Sequence, residues 1–437
     1  MALLRVSSIE QLAIPGVSVL ILFLAYTSQY LFYYIDPGPL TRSQALWFNG
    51  FVLGIWWCYD RACTVDPGPR GWVRKVGLSG DEDDGEDVIL EKGKRWCRKC
   101  EAVKPPRAHH CKQCRRYIFH TNSQCCRTPT DIRRCIPKMD HHCPWTTNCV
   151  SLTTFPHFLR FVLYAVISMS ILTYHLFIRV LIIWANRNLP AYLGPPVWTM
   201  VHLFVLVLVN SITLFALSIL LVRSTYSLAI NTTMIESWEI ERHEALVDRA
   251  RRTGGYVYAN GQKMRIQRQE FPYDVSIWRN LCEGMGTNIV PLWFMPFGGA
   301  PGIGKAAKYE VNGFEDESKG WPPLDPDKIP RNWRPSAEEI REYESREQEI
   351  EAFKKRQQKD YERWGGKTTN GIEEIDDSDE GEYESEYEEG MDGEEGWTNS
   401  EGDRLRDYGV DEEAEVLADD DIPLGELLRR RKATTSE

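Results

Sequence analysis

Residues 135–150 read Cys135-Ile136-Pro137-Lys138-Met139-Asp140-His141-His142-Cys143-Pro144-Trp145-Thr146-Thr147-Asn148-Cys149-Val150. Upstream stand Cys97-x2-Cys100 and His109-His110-Cys111-x2-Cys114, and nine of the twelve cysteines lie between 97 and 149. Two tetrahedral zinc ions need eight Cys or His ligands with short pairs at each knuckle, and the segment offers that number with a surplus. The surplus matters, because Asp140-His141-His142-Cys143 places an acid, a base and a thiol within four residues. A nucleophilic thiolate needs a lowered pKa or an adjacent base, and an imidazole oriented by a carboxylate supplies one. Neighbours in an extended chain point apart, so flanking zinc knuckles have to impose the geometry. Cys143 as one more zinc ligand stays open at this point.

Outward from this segment the chain turns apolar. Uncharged runs cover Gln11–Ile35, Ser43–Tyr59, Phe161–Ile178 and Asn188–Val222, and none follows residue 222. Each is near the roughly 20 residues that cross a hydrocarbon core. A wholly soluble protein is excluded on this reading, and the first run is expected to stay on the mature chain, since it lacks a basic flank and a clear cleavage site. Four transmembrane helices are expected, at about 12–35, 43–60, 158–184 and 198–222. The cysteine-rich segment lies between the second and third.

The short connectors 36–42 and 186–197 hold one Arg each, whereas 61–157 is rich in Lys and Arg. The positive-inside rule then puts the central segment and both termini in the cytosol. A reducing compartment argues against disulfides. At the other end, residues 373–403 contain 16 acidic residues and no Lys or Arg, and the remaining chain carries +5. Such a stretch cannot bury enough apolar surface to offset its ordering entropy, so a disordered acidic tail is expected. Residues 336–364 read as a solvated helix and 223–250 as a helix that follows the last span. The whole is an all-α polytopic membrane protein. It divides into 1–63 (helices one and two), 64–157 (zinc-binding domain), 158–222 (helices three and four), 223–300 (membrane-associated region) and 301–437 (solvated tail).

Asp140-His141-His142-Cys143-Pro144-Trp145 with Asn148-Cys149-Val150 resembles the DHHC protein S-acyltransferases, the S-palmitoyltransferases. Lys104-Pro105-x-Arg107-x-His109-His110-Cys111, Asp66-Pro67-Gly68 and Phe271-Pro272-Tyr273-Asp274 with Asn280 fit as well. Within the family, the fungal endoplasmic-reticulum type is most similar. The resemblance implies that Cys143 attacks a long-chain acyl-CoA such as palmitoyl-CoA, with His141 as base and Asp140 holding it. The acyl group then passes to cysteines of membrane-associated substrate proteins, with no nucleic acid involved. It implies one structural zinc on Cys97, Cys100, His110 and Cys135, and a second on Cys111, Cys114, His142 and Cys149. It implies an acyl cavity lined by Trp145, Phe158 and Phe161, with Ser168 at a position that influences chain length. Lys104, Arg107 and His109 match positions that meet CoA phosphates. The location implied is the endoplasmic reticulum.

Two departures stand out. The family separates the cysteines matching Cys114 and Cys135 by two residues, and here twenty intervene. Removing 117–134 leaves Cys114-Arg115-Arg116-Cys135, and eighteen codons are what a short intron retained in frame would add. Second, Thr-Thr-x-Glu is expected after the last helix, and the chain has Thr233-Met234-Ile235-Glu236. Two other function classes make different demands on the sequence. A non-catalytic zinc-stabilised scaffold would carry no acyl-thioester on Cys143. A transporter would need intramembrane ionisable pairs, for which only His175, Arg179 and His202 are candidates, and Arg179 could snorkel to the interface.

Overall fold

The computed structural model describes residues 7–69, 72–73, 95–100, 102–114, 134–259, 262–314, 321–323, 325–326, 397–412 and 415–416. These belong to one compact unit formed by 1–329 and 397–437. The expected helix at 336–364, most of the 117–134 insertion and the most acidic part of the tail lie outside them.

The first helical stretch is α1, Ser7–Leu22, one π turn, Phe23–Thr27, and α2, Ser28–Leu31. A connector leads to α3, Arg42–Thr64, which Thr41 starts by accepting from the Gln44 N–H in a capping box. The long helices α4, Phe155–Ala185, and α5, Val197–Ala229, follow the cysteine-rich segment. Among the described residues, three stretches are long and apolar enough to cross a membrane: Leu12–Leu31, Phe155–Ala185 and Val197–Ala229. Polar residues and charges such as Asp60 and Arg61 keep α3 out of that group, yet it lies along α4. Gly54 lets it approach, since a Cβ there would stand 2.6 Å from the Tyr164 ring.

Leu24, Leu31, Phe32, Phe48, Val52, Met169, Leu172, Leu176, Leu203 and Leu206 close the helix core. Asn210 donates to the Thr173 hydroxyl at 2.7 Å, a polar tie between α5 and α4. Arg179 is enclosed by protein at the end of α4. It is 1% exposed, donates to the carbonyls of His175 and Gly38, and covers the Phe32 ring at 3.4 Å. The polar connector bends back over the end of α4 and offers carbonyls there. Its described partners are backbone and ring, not an acid, so it makes no transport-type ion pair.

Between α3 and α4 run three short hairpins' worth of strands. β1, Trp96–Cys97, pairs with β2, Ala102–Val103; β3, His109–Cys111, with β4, Arg134–Ile136; and β5, His141–Cys143, with β6, Asn148–Val150. After α5 the chain turns through Ile230–Thr233 into α6, Met234–Arg252, and then into a hairpin of β7, Tyr256–Ala259, and β8, Gln262–Arg265. Helices α7, Ile277–Met285, and α8, Val290–Phe294, return toward α4 and α5.

The chain's last described part differs from the expected solvated tail. Trp397, Leu405, Tyr408 and Val410 pack with Ile136, Met139, Ile235 and Trp238, and β9, Glu415–Val416, pairs with β1. Lys112 donates its N–H to the Gly409 carbonyl, the Asp411 N–H donates to the His110 carbonyl, and Lys99 meets the Asp411 carboxylate. The physical reason is local: four large apolar side chains within fourteen residues can bury what the acidic stretch before them cannot.

Candidate active site

Strand alternation sorts the ligands. Successive side chains on a strand point to opposite faces, so His110 and Cys111 on β3 part company. His110 joins Cys97, Cys100 and Cys135, and Cys111 joins Cys114, His142 and Cys149. Cross-strand pairing of His110 with Cys135 and of His142 with Cys149 sets two ligands of each group opposite one another. His110 Nδ1 lies 3.3, 3.4 and 3.8 Å from the sulfurs of Cys97, Cys100 and Cys135. His142 Nδ1 lies 3.6, 3.6 and 3.5 Å from those of Cys111, Cys114 and Cys149. A tetrahedral zinc with bonds of about 2.0 Å to nitrogen and 2.3 Å to sulfur separates its ligands by about 3.5 Å. Both groups fit such an ion by donor type and spacing. The insertion before β4 leaves both groups closed.

The same alternation resolves the surplus. On β5, His142 points to the second ligand group, so His141 and Cys143 share the opposite face. Asp140 Oδ2 accepts from His141 Nδ1 at 2.8 Å. Its Oδ1 accepts from the Met234 N–H at 2.7 Å. Met234 opens α6, whose Thr233 cap and Glu236 form a capping box, so the carboxylate sits at the positive end of a helix. The Met in place of the expected Thr is immaterial to this bond, because the backbone makes it. Burial opposes charge on the His141 imidazole, but hydrogen bonds to Asp140 and Cys143 outweigh it and push its pKa up to about 10. Burial alone would raise the Cys143 thiol. The hydrogen bond and charge of His141, helped by Thr146, bring it below its ordinary value.

The thiol faces apolar surroundings. Cys143 is 4% exposed and clusters with Val150, Phe158 and Val162, with Phe155, Phe161, Val166, Leu217, Leu220 and Leu221 packed around them. Phe158 meets the His141 ring edge-on at 6.0 Å. Phe161 lies 5.0 Å from the Tyr59 ring, and the Tyr59 hydroxyl donates to the Trp145 carbonyl. Trp145 itself is exposed. Ser168 is buried and its hydroxyl has no hydrogen-bond partner among the described residues. Asn148 donates to the carbonyls of Ala62 and Val65, which pins the β5–β6 hairpin to the end of α3.

The residues expected to meet phosphates are placed differently. Arg107 is not free for that role. Its side chain is 1% exposed, it bonds both Glu236 oxygens at 2.6 and 2.7 Å, and it donates to Asn231. Tyr273 and Tyr309 flank its guanidinium at 4.5 and 5.1 Å. A left-handed backbone at Arg107 turns it inward, where the acid of α6 awaits it. Lys104 and His109 are also buried. His109 Nε2 and Arg95 Nη1 both stand 4.0 Å from Glu239. Asn280 donates to the Ala229 carbonyl and to Asp274, which ties α7 to the end of α5.

The family model described as DHHC palmitoyltransferase matches residues 126–241. The chain is 49% identical to "Palmitoyltransferase pfa4" of Aspergillus fumigatus, over 98% of this chain and 99% of that one. It is 46% identical to the protein of the same name from Emericella nidulans, over 97% of each. Against "Palmitoyltransferase PFA4" of Gibberella zeae it is 43% identical, over 97% of this chain and 96% of the other.

Proposed function

Because the chain belongs to the DHHC palmitoyltransferases, and so is a protein S-palmitoyltransferase, we propose that Cys143 carries the acyl group between donor and substrate protein. The observation that carries this reading is that His141 and Cys143 share one face of β5 while Asp140 holds the imidazole from a helix terminus. The Cys143 thiolate attacks the thioester carbonyl of a palmitoyl-CoA; the bond to the CoA sulfur breaks, and the leaving thiolate takes the His141 proton. A cysteine thiol of a membrane-associated protein then attacks the new thioester. His141 accepts that thiol's proton, and the Cys143 thiolate is released. Each CH₂ of the chain buried against Phe158, Phe161 and the α5 leucines contributes roughly 0.8 kcal/mol.

The ions for the two ligand groups are zinc on this reading. With all four positions of each filled by protein they would be structural, holding the hairpins that carry His141 and Cys143. Ser168 sets the depth available to the chain. Helix α3 serves as a fourth span, with the zinc domain and both termini cytosolic and the endoplasmic reticulum as location.

Detergent-purified protein incubated with a clickable palmitoyl-CoA tests this. Hydroxylamine-sensitive label that Cys143→Ala abolishes is expected, with two zinc per chain in both. Label unaffected by that substitution would refute the assignment. Zinc-loaded protein that takes no label would favour a non-catalytic scaffold, which no observation otherwise supports. The same assay on a chain lacking 117–134 reads whether that insertion belongs to the working enzyme.

A further inference from the structure

The end of α3, the first turn of α4 and residues 296–301 enclose a cleft of about 360 Å³. Trp57, Arg61, His157, Phe297 and the main chain of 298–301 line it. Trp57 and Arg61, four residues apart, share one side of α3. Tyr59, which faces Trp145 and the thiol, points roughly the opposite way at 100° per residue. The cleft is therefore separate from the acyl-transfer site.

The cleft is built rather than incidental. Arg160 is 1% exposed and donates to the carbonyls of Leu292, Trp293, Gly298 and Gly299 at 2.7 to 3.2 Å. That clamp fixes the far wall. A Cβ on Gly298 would stand 2.1 Å from the Leu292 carbonyl, so the close approach needs glycine. His157 is 5% exposed, and its Nδ1 is buried without a hydrogen-bond partner among the described residues. An unmet polar atom of that kind is unfavourable unless something else fills the need. Arg61 is exposed and forms no ion pair among the described residues. At the lip, Trp57 and Phe297 are 49% and 73% exposed with rings 6.1 Å apart. Ile289, Leu292, Phe294 and Met295 continue that apolar margin.

We propose that this cleft binds the phosphate of a membrane phospholipid. Arg61 pairs with the phosphate oxygens, His157 Nδ1 meets one of them, and the acyl chains lie along Trp57 and Phe297. A soluble phosphate ester would find the same cation and imidazole but would leave both rings uncovered, which is why a lipid is the favoured source. The assignment rests on α3 crossing the bilayer.

Native mass spectrometry of the full-length protein, titrated with dioleoyl phosphatidic acid and with dioleoylglycerol, tests it. One phosphatidic acid per chain is expected, with dioleoylglycerol at least tenfold weaker. Arg61→Gln and His157→Leu should each weaken phosphatidic acid at least tenfold while the mass still shows two zinc. Equal retention of the two lipids, or of phosphatidic acid by wild type and both variants, overturns the proposal. Displacement of phosphatidic acid by glycerol 3-phosphate at equal concentration overturns the lipid assignment in favour of a soluble phosphate. Thioester label on Cys143 in the same preparation reports the catalytic reading separately. Access to a Thr41→Cys label only after vesicles are permeabilised reports the crossing of α3.

Discussion

Replacing Glu236 by Ala removes the acid that neutralises Arg107. Both side chains are nearly inaccessible, at 2% and 1% exposure, and they meet through two charge-assisted bonds. Breaking a buried pair by deleting one partner costs about 3–5 kcal/mol. Glu236 also accepts the Thr233 N–H in the capping box of α6, and loss of a cap costs about 1 kcal/mol more. The sum, about 4–6 kcal/mol, is a large share of the roughly 5–15 kcal/mol that holds a protein folded. A fall in Tm on the order of 10 °C follows. The damage should reach the chemistry, because the Met234 N–H that holds Asp140 sits in the turn that loses its cap. Thermal unfolding in detergent and thioester labelling of Cys143 would be read together. Glu244→Ala, an exposed change on the same helix, serves as the control and should leave both unchanged. The double variant Arg107→Met, Glu236→Leu should recover part of the loss, since no charge is then stranded. A Glu236→Ala protein that melts within about 2 °C of wild type would refute the reasoning, and so would a double variant worse than the single.

Burial and the Arg107 charge push the Lys138 ammonium down to about 8, against the opposing pull of Glu283. An unfolded Lys titrates near 10.4, so between those values the unfolded chain holds more protons and stability rises with pH. The Tm of wild type minus that of Lys138→Met should therefore grow more positive from about pH 7.5 to about pH 10; a flat difference would contradict it. Asp411→Ala strips Lys99 of its partner beside the first ligand group and should speed zinc loss to a chelator several-fold, as read by a colorimetric zinc indicator. Ser168→Phe, placed in a buried position with a hydroxyl unpartnered among the described residues, should shift autoacylation toward shorter acyl-CoAs, by about fourfold per methylene excluded.

The ligands were legible because spacing encodes them. Spacing alone promised at least eight Cys or His ligands with a surplus; the division into two sets came from the resemblance, and the eight residues stand in those sets. The shared face of His141 and Cys143 could not be read from adjacency; it follows once β5 is known to be a strand. Three membrane-length helices were plain from uncharged runs. Arg107 misled because a basic residue in a basic segment looks like a phosphate contact. Its partner Glu236 lies 129 positions on, a separation no local pattern conveys. The tail misled through averaging: the charge count over 373–403 includes Trp397 and hides the apolar residues that follow.

That tail segment also has a consequence in time. It follows Cys111 by some 286 positions, and chains grow at about 5–20 residues per second. A ribosome therefore needs about 15 to 60 s after making the knuckles before it makes the stretch that pairs with β1 and Cys111. For that interval the edge of β1 stands open and the ligand groups are reachable, by metal or by oxidant. An ion entering either ligand group in this window would meet a more open site than the finished chain presents.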